Sequence, residues 1–371
     1  MHEILPIPMP LTGEFTPNNL LGDPVLLASD LVDGPASLIV EDDTFYTGTA
    51  DGRMVKLTDG EIKSSLEIVP TLSARGTYKS EPITGRPLGM RRYDFENIVV
   101  VDAYLGVYKI KWNKQGDGLH RMFMTSDKKV VVEKIQSIWP SDMVIEGRES
   151  RFLNDIEIWD EKTWLLTDSS SRYQLRDSAN LIIENAPTGR ILHINPNTQH
   201  TKVVIDGLYF PTGIQKHPDG YSFLFCETSM FRIRRYYFAG KHKGRLEEFV
   251  ENLAGYPQSI RLSTQQTFYV ALSTVRSRHR QTIVDNLNDW PLIRRLILSF
   301  FPNRFIARWC QSMSQDYAIV VEIDLFGNVV RSYQDPDGTI GVISHVADDE
   351  NHIYIGSLTN KFIAKYPKAL S

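Results

Sequence analysis

The sequence predicts an all-β chain: a six-bladed β-propeller with a helical insertion in its fifth blade. Three observations predict it. First, six segments repeat one design: FYTGTADGRMVKL (45–57), VVVDAYLGVYKIKW (99–112), WLLTDSSSRY (164–173), FLFCETSMFRIRRY (223–236), FYVALSTV (268–275) and IYIGSLTNKFIAKY (353–366). Each is a β-branched or aromatic run that ends on a small polar or acidic residue, and most continue into a second alternating run. Second, turn residues precede each copy, as in EDDT, DFEN, HPDG and DDEN. Third, the unit recurs every few dozen residues, the period of four-stranded propeller blades. No such blade buries both faces alone, so the copies must close into one ring.

The elements follow in chain order. Residues 1–23 are Pro-rich and read as an extended surface segment. PVLLASDLV (24–32) reads as a strand that completes the last blade and closes the ring. The propeller then fills 24–371. Its blades begin near Gly34, Arg86, Phe152, Phe210, Tyr256 and Ile343. Outer strands are expected at 130–138, 189–196 and 201–208. The run 318–336 reads as a hairpin around Phe326, Gly327 and Asn328.

Residues 283–313 break the β pattern and read as helix. Asp289 is the expected N-cap, Pro291 sits just inside the start, and Pro302 interrupts. Leu292, Ile293, Leu296, Ile297 and Phe300 have helical spacing. Two readings stay open. The segment is a cap that hides its apolar residues over one tunnel mouth. Alternatively, it is an interfacial membrane helix, with Trp290, Phe301 and Trp309 at the headgroups and Arg294, Arg295, Arg304 and Arg308 on anionic lipid.

Composition excludes several classes. The chain of 371 residues carries 41 Lys and Arg against 45 Asp and Glu, a net charge of −4, so there is no overall nucleic-acid footprint. No apolar run is long enough to span a bilayer. The two cysteines, Cys226 and Cys310, read as buried apolar thiols. The opening MHEILPIPMPLTGEF has no signal-peptide pattern, and Asn-x-Ser/Thr is absent. The expected location is cytoplasmic or peripheral to a membrane. Walker loops, His-Glu-x-x-His and Cys-x-x-Cys are also absent. Ser169, Ser170 and Ser171 lack a nucleophile elbow. Asp102, Asp168 and Glu227 end second strands and read as caps on turn N–H groups. Arg276, Arg278, His279 and Arg280 read as a solvated loop, with binding of an acidic headgroup or a carboxylate substrate as the alternative.

Longer motifs then carry a resemblance. TGTADGRMVKLTDGEI, GRPLGMRRYDFENIVVVDAYLGVYKI, FLNDIEIWDEKTWLLTDSSSRY and FPTGIQKHPDGYSFLFCETSMFRIRRYYFAGKHKG resemble the strictosidine synthase-like family, and matching stretches run from about 34 to 366. The family is similar to paraoxonases and related propeller lactonases. The resemblance implies a six-bladed propeller and arylesterase-like or lactonase-like hydrolysis of small apolar esters, assisted by calcium in the central tunnel. It also implies a membrane association.

Carried over residue by residue, the implied tunnel site departs from the family pattern. Where the family places a Glu after Gly-Pro, this chain has Ala36. The blade-three Asn is kept as Asn154. Thr212 replaces an Asn, and Gln258 and Ser259 replace Asp-Asn. Calcium needs six to eight hard oxygens, with carboxylates to balance its charge. Asn154 is then only a remnant of a metal ligand. Asp155 is the one neighbouring carboxylate, and strand alternation is expected to turn it away from the face that Asn154 uses. Weak or absent calcium binding follows. The plant synthase's catalytic Glu aligns with Ser344, beside His345, so synthase chemistry lacks its base. Arg75 and Thr84 occupy the positions of the family's cysteine pair.

Ala36, Asn154, Asp155, Thr212, Gln258, Ser259 and Ser344 are therefore expected to line one end of the tunnel. Asn154 and His345 are the candidate catalytic residues. Asn154 reads equally as a buried amide satisfying backbone, and His345 more readily as a solvated rim histidine. Two functions stay open. One is hydrolysis of a small apolar ester or lactone at an eroded metal site. The other is a catalytically silent propeller that binds a ligand or a membrane surface.

Overall fold

The computed structural model describes residues 4–69, 74–112, 123–124, 130–131, 135–140, 144–313 and 317–368. Six four-stranded antiparallel sheets stand around a central axis. Their innermost strands are Leu38–Glu41, Pro87–Arg92, Phe152–Asp160, Pro211–Lys216, Gly255–Leu262 and Ile343–Asp348. The inner strands of blades two to six start within a residue of the positions read from the repeats, and that of blade one starts at Leu38 rather than Gly34. The ring closes as expected, on a shorter strand: Val25–Leu27 pairs antiparallel with Ile363–Pro367 as the outermost strand of blade six, Val25 opposite Lys365. In blade two the outer strand is Ile135–Pro140, while Val130–Val131 pairs with Phe123–Met124 in a separate ribbon.

Each of the six blade-to-blade interfaces holds its own apolar cluster. Between blades two and three, for example, Val99, Val101 and Trp139 meet Leu153, Ile156 and Trp164. Between blades four and five, Leu224, Cys226 and Ile233 meet Ile260, Val270 and Ile319. Full burial of one large apolar side chain contributes about 1.5–3 kcal/mol, so closure of the ring is what stabilises it. Close backbone approach makes specific demands. A Cβ on Gly89 would lie 2.5 Å from Asp155 Oδ1, and one on Gly213 would lie 2.5 Å from Ser259 Cα. These two glycines let the inner strands converge on the axis.

The insertion lies between the second and third strands of blade five. It forms three helices: Ile283–Asn286, Pro291–Phe300 and Asn303–Met313. Thr282 and Asp285 make a reciprocal capping box on the first. Pro291 opens the second as expected, but its N-cap is Trp290, not Asp289. Helix Ser178–Glu184, inserted in blade three, packs beside the second and third helices. Together they form a lid over one mouth of the tunnel.

The lid corrects the cap expectation in one respect. It covers the mouth, yet its apolar residues face solvent. Leu292 is 71% and Phe300 76% exposed, and Trp290, Leu296, Phe301 and Phe305 are exposed as well. Val284, Arg294 and Ile306 of the three helices are buried, and Ile283, Ala307 and Cys310 border the space beneath. No helix among the described residues is long and apolar enough to cross a membrane.

The N-terminal segment is a packed strap. Phe15 and Leu21 are buried in the clusters at blade five, and Leu5 is buried beneath the lid, where its N–H donates to Asn288 Oδ1 at 3.1 Å. Arg276 is fully buried rather than solvated. It pairs with Asp285 at 2.7 Å, donates to the Pro6 carbonyl and Asn252, and lies over Phe231. Arg278 and His279 stay exposed.

Candidate functional site

A chamber of about 570 Å³ opens under the lid. Its walls come from the starts of the inner strands, the loops of blades one to three, and the lid itself through Thr282, Ile283, Ala307 and Cys310. Ala36, Asn154, Asp155, Gln258, Ser259, Ser344 and His345 all border it. Thr212 does not. It is fully buried, with its hydroxyl 2.7 Å from Thr228 Oγ1 and bonded to the Pro257 carbonyl at 3.2 Å, so it ties blade four to blade five behind the wall.

Asp155 lies on the axis, against the expectation from alternation. The pairing of Leu153 with Asp168 and of Ile156 with Leu166 leaves one extra residue on the inner strand. That β-bulge breaks the period of two, so Asn154 and Asp155 both border the chamber. Arg261 grips Asp155 bidentately, Nη1 to Oδ2 at 2.8 Å and Nη2 to Oδ1 at 3.0 Å. Arg91 donates to Asp155 Oδ1 at 3.3 Å and to Glu157 Oε2 at 3.3 Å. The Ile214 N–H donates to Asp155 Oδ2 at 2.9 Å. Burial would raise the Asp155 pKa, but Arg261 and Arg91 outweigh it and hold the carboxyl below its ordinary value. For Glu157 burial wins over Arg91, and its pKa is raised. This cluster of two arginines and two carboxylates separates the chamber from a smaller depression on the other side, and Arg261 and His345 border both.

His345 sits against the same cluster. Its Nδ1 accepts the Leu38 N–H at 3.3 Å, and its buried Nε2 has no partner. Burial, then Arg261 and Arg91, push its pKa well below the ordinary value. The ring is neutral, with its proton on Nε2 because Nδ1 is an acceptor. A lone pair spent on a backbone N–H cannot remove a proton from water. At 3% exposure His345 is not a solvated rim residue, and it presents an Nε2–H while its Nδ1 is engaged by the Leu38 backbone.

Other candidates resolve individually. The Asn154 side chain is half-buried, and its amide makes no hydrogen bond to a described residue, so it is not consumed in satisfying backbone. Gln258 donates to Ser273 Oγ at 3.1 Å, Ser344 donates to the Ala36 carbonyl at 2.7 Å, and the buried Ser259 hydroxyl has no partner. Asp102 caps the Tyr104 and Leu105 N–H groups at 2.9 and 3.0 Å as expected. Asp168 instead forms a buried pair with Arg190 at 2.8 Å, and Glu227 pairs with Arg232 at 2.7 Å while accepting the Tyr209 N–H. Ser169 and Ser171 donate to the Pro211 and Thr188 carbonyls, and Ser170 accepts from Arg172 and Tyr173, so all three are structural. Arg75 and Thr84 hold by hydrogen bonds. Arg75 spans Glu67, Asp51 and Val69, and Thr84 donates to the Ser80 carbonyl.

The residues do not fit a calcium ion. Asp155, the one axial carboxylate bordering the chamber, spends both oxygens on guanidinium groups and a backbone N–H. Among the described residues, no three His, Cys, Asp or Glu converge on a common point. Sequence reading missed Arg91, Glu157 and Arg261. Their signal was present in the alternation of MRRY (90–93), NDIEIW (154–159) and SIRLS (259–263), which puts charge on inward-facing strand positions.

Comparison with known proteins agrees with this architecture. The strictosidine synthase profile matches residues 154–241, and the strictosidine synthase-like N-terminal profile matches 13–57. Adipocyte plasma membrane-associated protein of Rattus norvegicus is 34% identical over 360 residues, covering 95% of this chain and 88% of the relative. Protein STRICTOSIDINE SYNTHASE-LIKE 3 of Arabidopsis thaliana is 30% identical over 369 residues, covering 96% and 88%. Among solved structures, a luciferin-regenerating enzyme superposes with a TM-score of 0.55 at 10% identity, covering 93% of this chain and 96% of that one. A gluconolactonase from Xanthomonas campestris gives 0.54 at 12%, covering 98% and 97%. These structural likenesses carry the propeller fold alone. The identities along nearly the whole sequence carry more: the chain belongs to the strictosidine synthase-like family.

Proposed function

We propose that this propeller binds a small, largely apolar molecule in its lidded chamber, without a tunnel calcium and without ester or lactone hydrolysis. One observation carries the reading: the guanidinium groups of Arg91 and Arg261 occupy Asp155, so fixed protein cations take the place that a metal would need. Hydrolysis also needs a base for water. Asp155 is held below its ordinary pKa, and His345 has spent its lone pair. Leu88, Phe152, Phe210, Tyr256 and Val275 supply an apolar wall of the kind that small-molecule sites use. The test pairs calcium calorimetry with phenyl acetate and dihydrocoumarin turnover. The expected result is no saturable calcium binding below the millimolar range and no turnover above buffer. Micromolar calcium binding with calcium-dependent turnover would overturn the reading.

A second reading is favoured by the lid. Leu292, Leu296 and Phe300 form an exposed apolar row one helical turn apart, and Arg295, Arg304 and Arg308 on the same segment are also exposed. This face suits the headgroup layer of an anionic leaflet, where each arginine adds about 1 kcal/mol. Sedimentation with phosphatidylserine vesicles is expected to be salt-sensitive and lost in Leu296→Glu/Phe300→Glu. Equal sedimentation of that variant and the parent would refute it.

A further inference from the structure

We propose that the chamber selects molecules that carry a carboxylate head on an apolar body, an inference that rests on the chamber being a binding site. The chain is net acidic at −4, yet the chamber wall has Arg86, Arg176, Arg261 and Arg280 against only Glu81 and Asp155 as carboxylates, and no lysine. Asp155 is already shared by two arginines, and Glu81 accepts the Tyr104 hydroxyl at 2.7 Å. Arg86, Arg176 and Arg280 make no ion pair with a described carboxylate.

Arg86 carries most of the argument. It is 3% exposed, its Nη2 donates to the Leu358 carbonyl at 3.1 Å, and its Nη1 has no partner. Glu81, Asp33 and Asp102 act on it only at longer range. A buried guanidinium without a bonded counter-ion is expensive, and a ligand carboxylate accepting from it offsets that cost. Arg176 and Arg280 are held by ring faces, over Tyr78 at 5.0 Å and Tyr317 at 4.6 Å. Rings restrict the guanidinium planes before a ligand arrives. Arginine rather than lysine throughout suits a planar two-oxygen head, which the guanidinium fork meets bidentately. Leu88, Phe152, Ile182 and Phe210 then receive the body.

Calorimetric titration with 4-phenylbutyrate and its uncharged match 4-phenylbutanol tests this. The carboxylate is expected to bind about tenfold tighter or more, as one added charge-assisted hydrogen bond implies. Arg86→Met and Arg280→Gln are each expected to erode the carboxylate's advantage and leave the alcohol unchanged. Arg280 is half-buried on a loop and has no carboxylate to orphan, so that variant keeps the test open if Arg86→Met does not fold. Equal affinities for the two probes, or an advantage that survives both variants, would overturn the anion inference and leave the chamber reading standing. Binding of neither probe would overturn both. Preference for 4-phenylbutyl phosphate over 4-phenylbutyrate would overturn the carboxylate assignment.

Discussion

Arg261→Met is the most informative single perturbation of the axis. The parent cluster holds two arginines and two carboxylates, all nearly buried. Losing Arg261 removes the bidentate contacts at 2.8 and 3.0 Å and leaves Asp155 with Arg91 at 3.3 Å and the Ile214 N–H. One buried negative charge becomes uncompensated. Breaking a buried pair costs about 3–5 kcal/mol, and the surviving Arg91 contact places this variant near the lower end. Parent Asp155 has a depressed pKa, so its contribution is present above the ordinary carboxylate value and is lost as pH falls through the depressed one. In the variant that pKa rises and the native state takes up its proton earlier. Urea unfolding should therefore show a deficit at pH 7 that narrows toward pH 4. The double variant Arg261→Met/Asp155→Asn leaves Arg91 and Glu157 paired one to one, and should cost at least about 1 kcal/mol less than the two single losses added together. A deficit independent of pH, together with strict additivity, would refute the linked-cluster argument.

Three further outcomes are expected. Burial pushes Asp102 up to about 6, so native Asp102 ionises at a cost, and the stability it allows below pH about 4 is lost as pH rises to about 6. Asp102→Asn keeps the acceptor for Tyr104 and Leu105, and should gain stability relative to the parent at pH 7.5, by about 2–3 kcal/mol at most, but not at pH 4; equal shifts at both pH values in urea titrations would contradict this. Gln258→Asp/Ser259→Asn should show calcium binding by calorimetry only when combined with Arg261→Met; binding with Arg261 present would show that the arginine does not exclude the ion. Thr282→Val breaks the capping box and should cost about 0.5–2 kcal/mol, read as faster amide exchange across 283–286, with the blades unchanged.

The ring was legible because its signal is repeated. Any one run such as FYVALSTV is ambiguous between a buried strand and part of a helix, but six in register with preceding turns are not. The closing strand was legible from a run left over at the start, and the hairpin 318–335 from its turn residues, with Gly327 at φ 95°. The lid's helices were legible from spacing, but their orientation was not. Periodicity reports that Leu292, Leu296 and Phe300 share a face, and carries no sign for which side that face meets. In this fold Arg294 and Ile306 point inward, and the apolar row points out. Helix Ser178–Glu184 was missed because its seven residues are too short to establish a period.

The site was legible as a location and illegible as a chemistry. Motif positions placed Ala36, Asn154, Gln258, Ser259, Ser344 and His345 around one chamber, because inner-strand starts in a closed ring converge by construction. What they do depends on partners far away in sequence. Asp155 is paired with residues 64 and 106 positions distant, and its direction is set by a bulge that no alternation rule foresees. Asp155 puts one buried carboxylate beside the chamber, and a buried charge needs a compensating cation. A divalent ion supplies one and demands a cage of oxygens around it. Two guanidinium groups supply one as well, held covalently, and they relax the demand on every other ligand position. Ala36, Gln258 and Ser259 then carry no electrostatic debt. On the proposed reading Arg91 and Arg261 supply the positive charge at Asp155, so oxygen ligands restored at Gln258 and Ser259 gain no calcium while Arg261 holds that carboxylate.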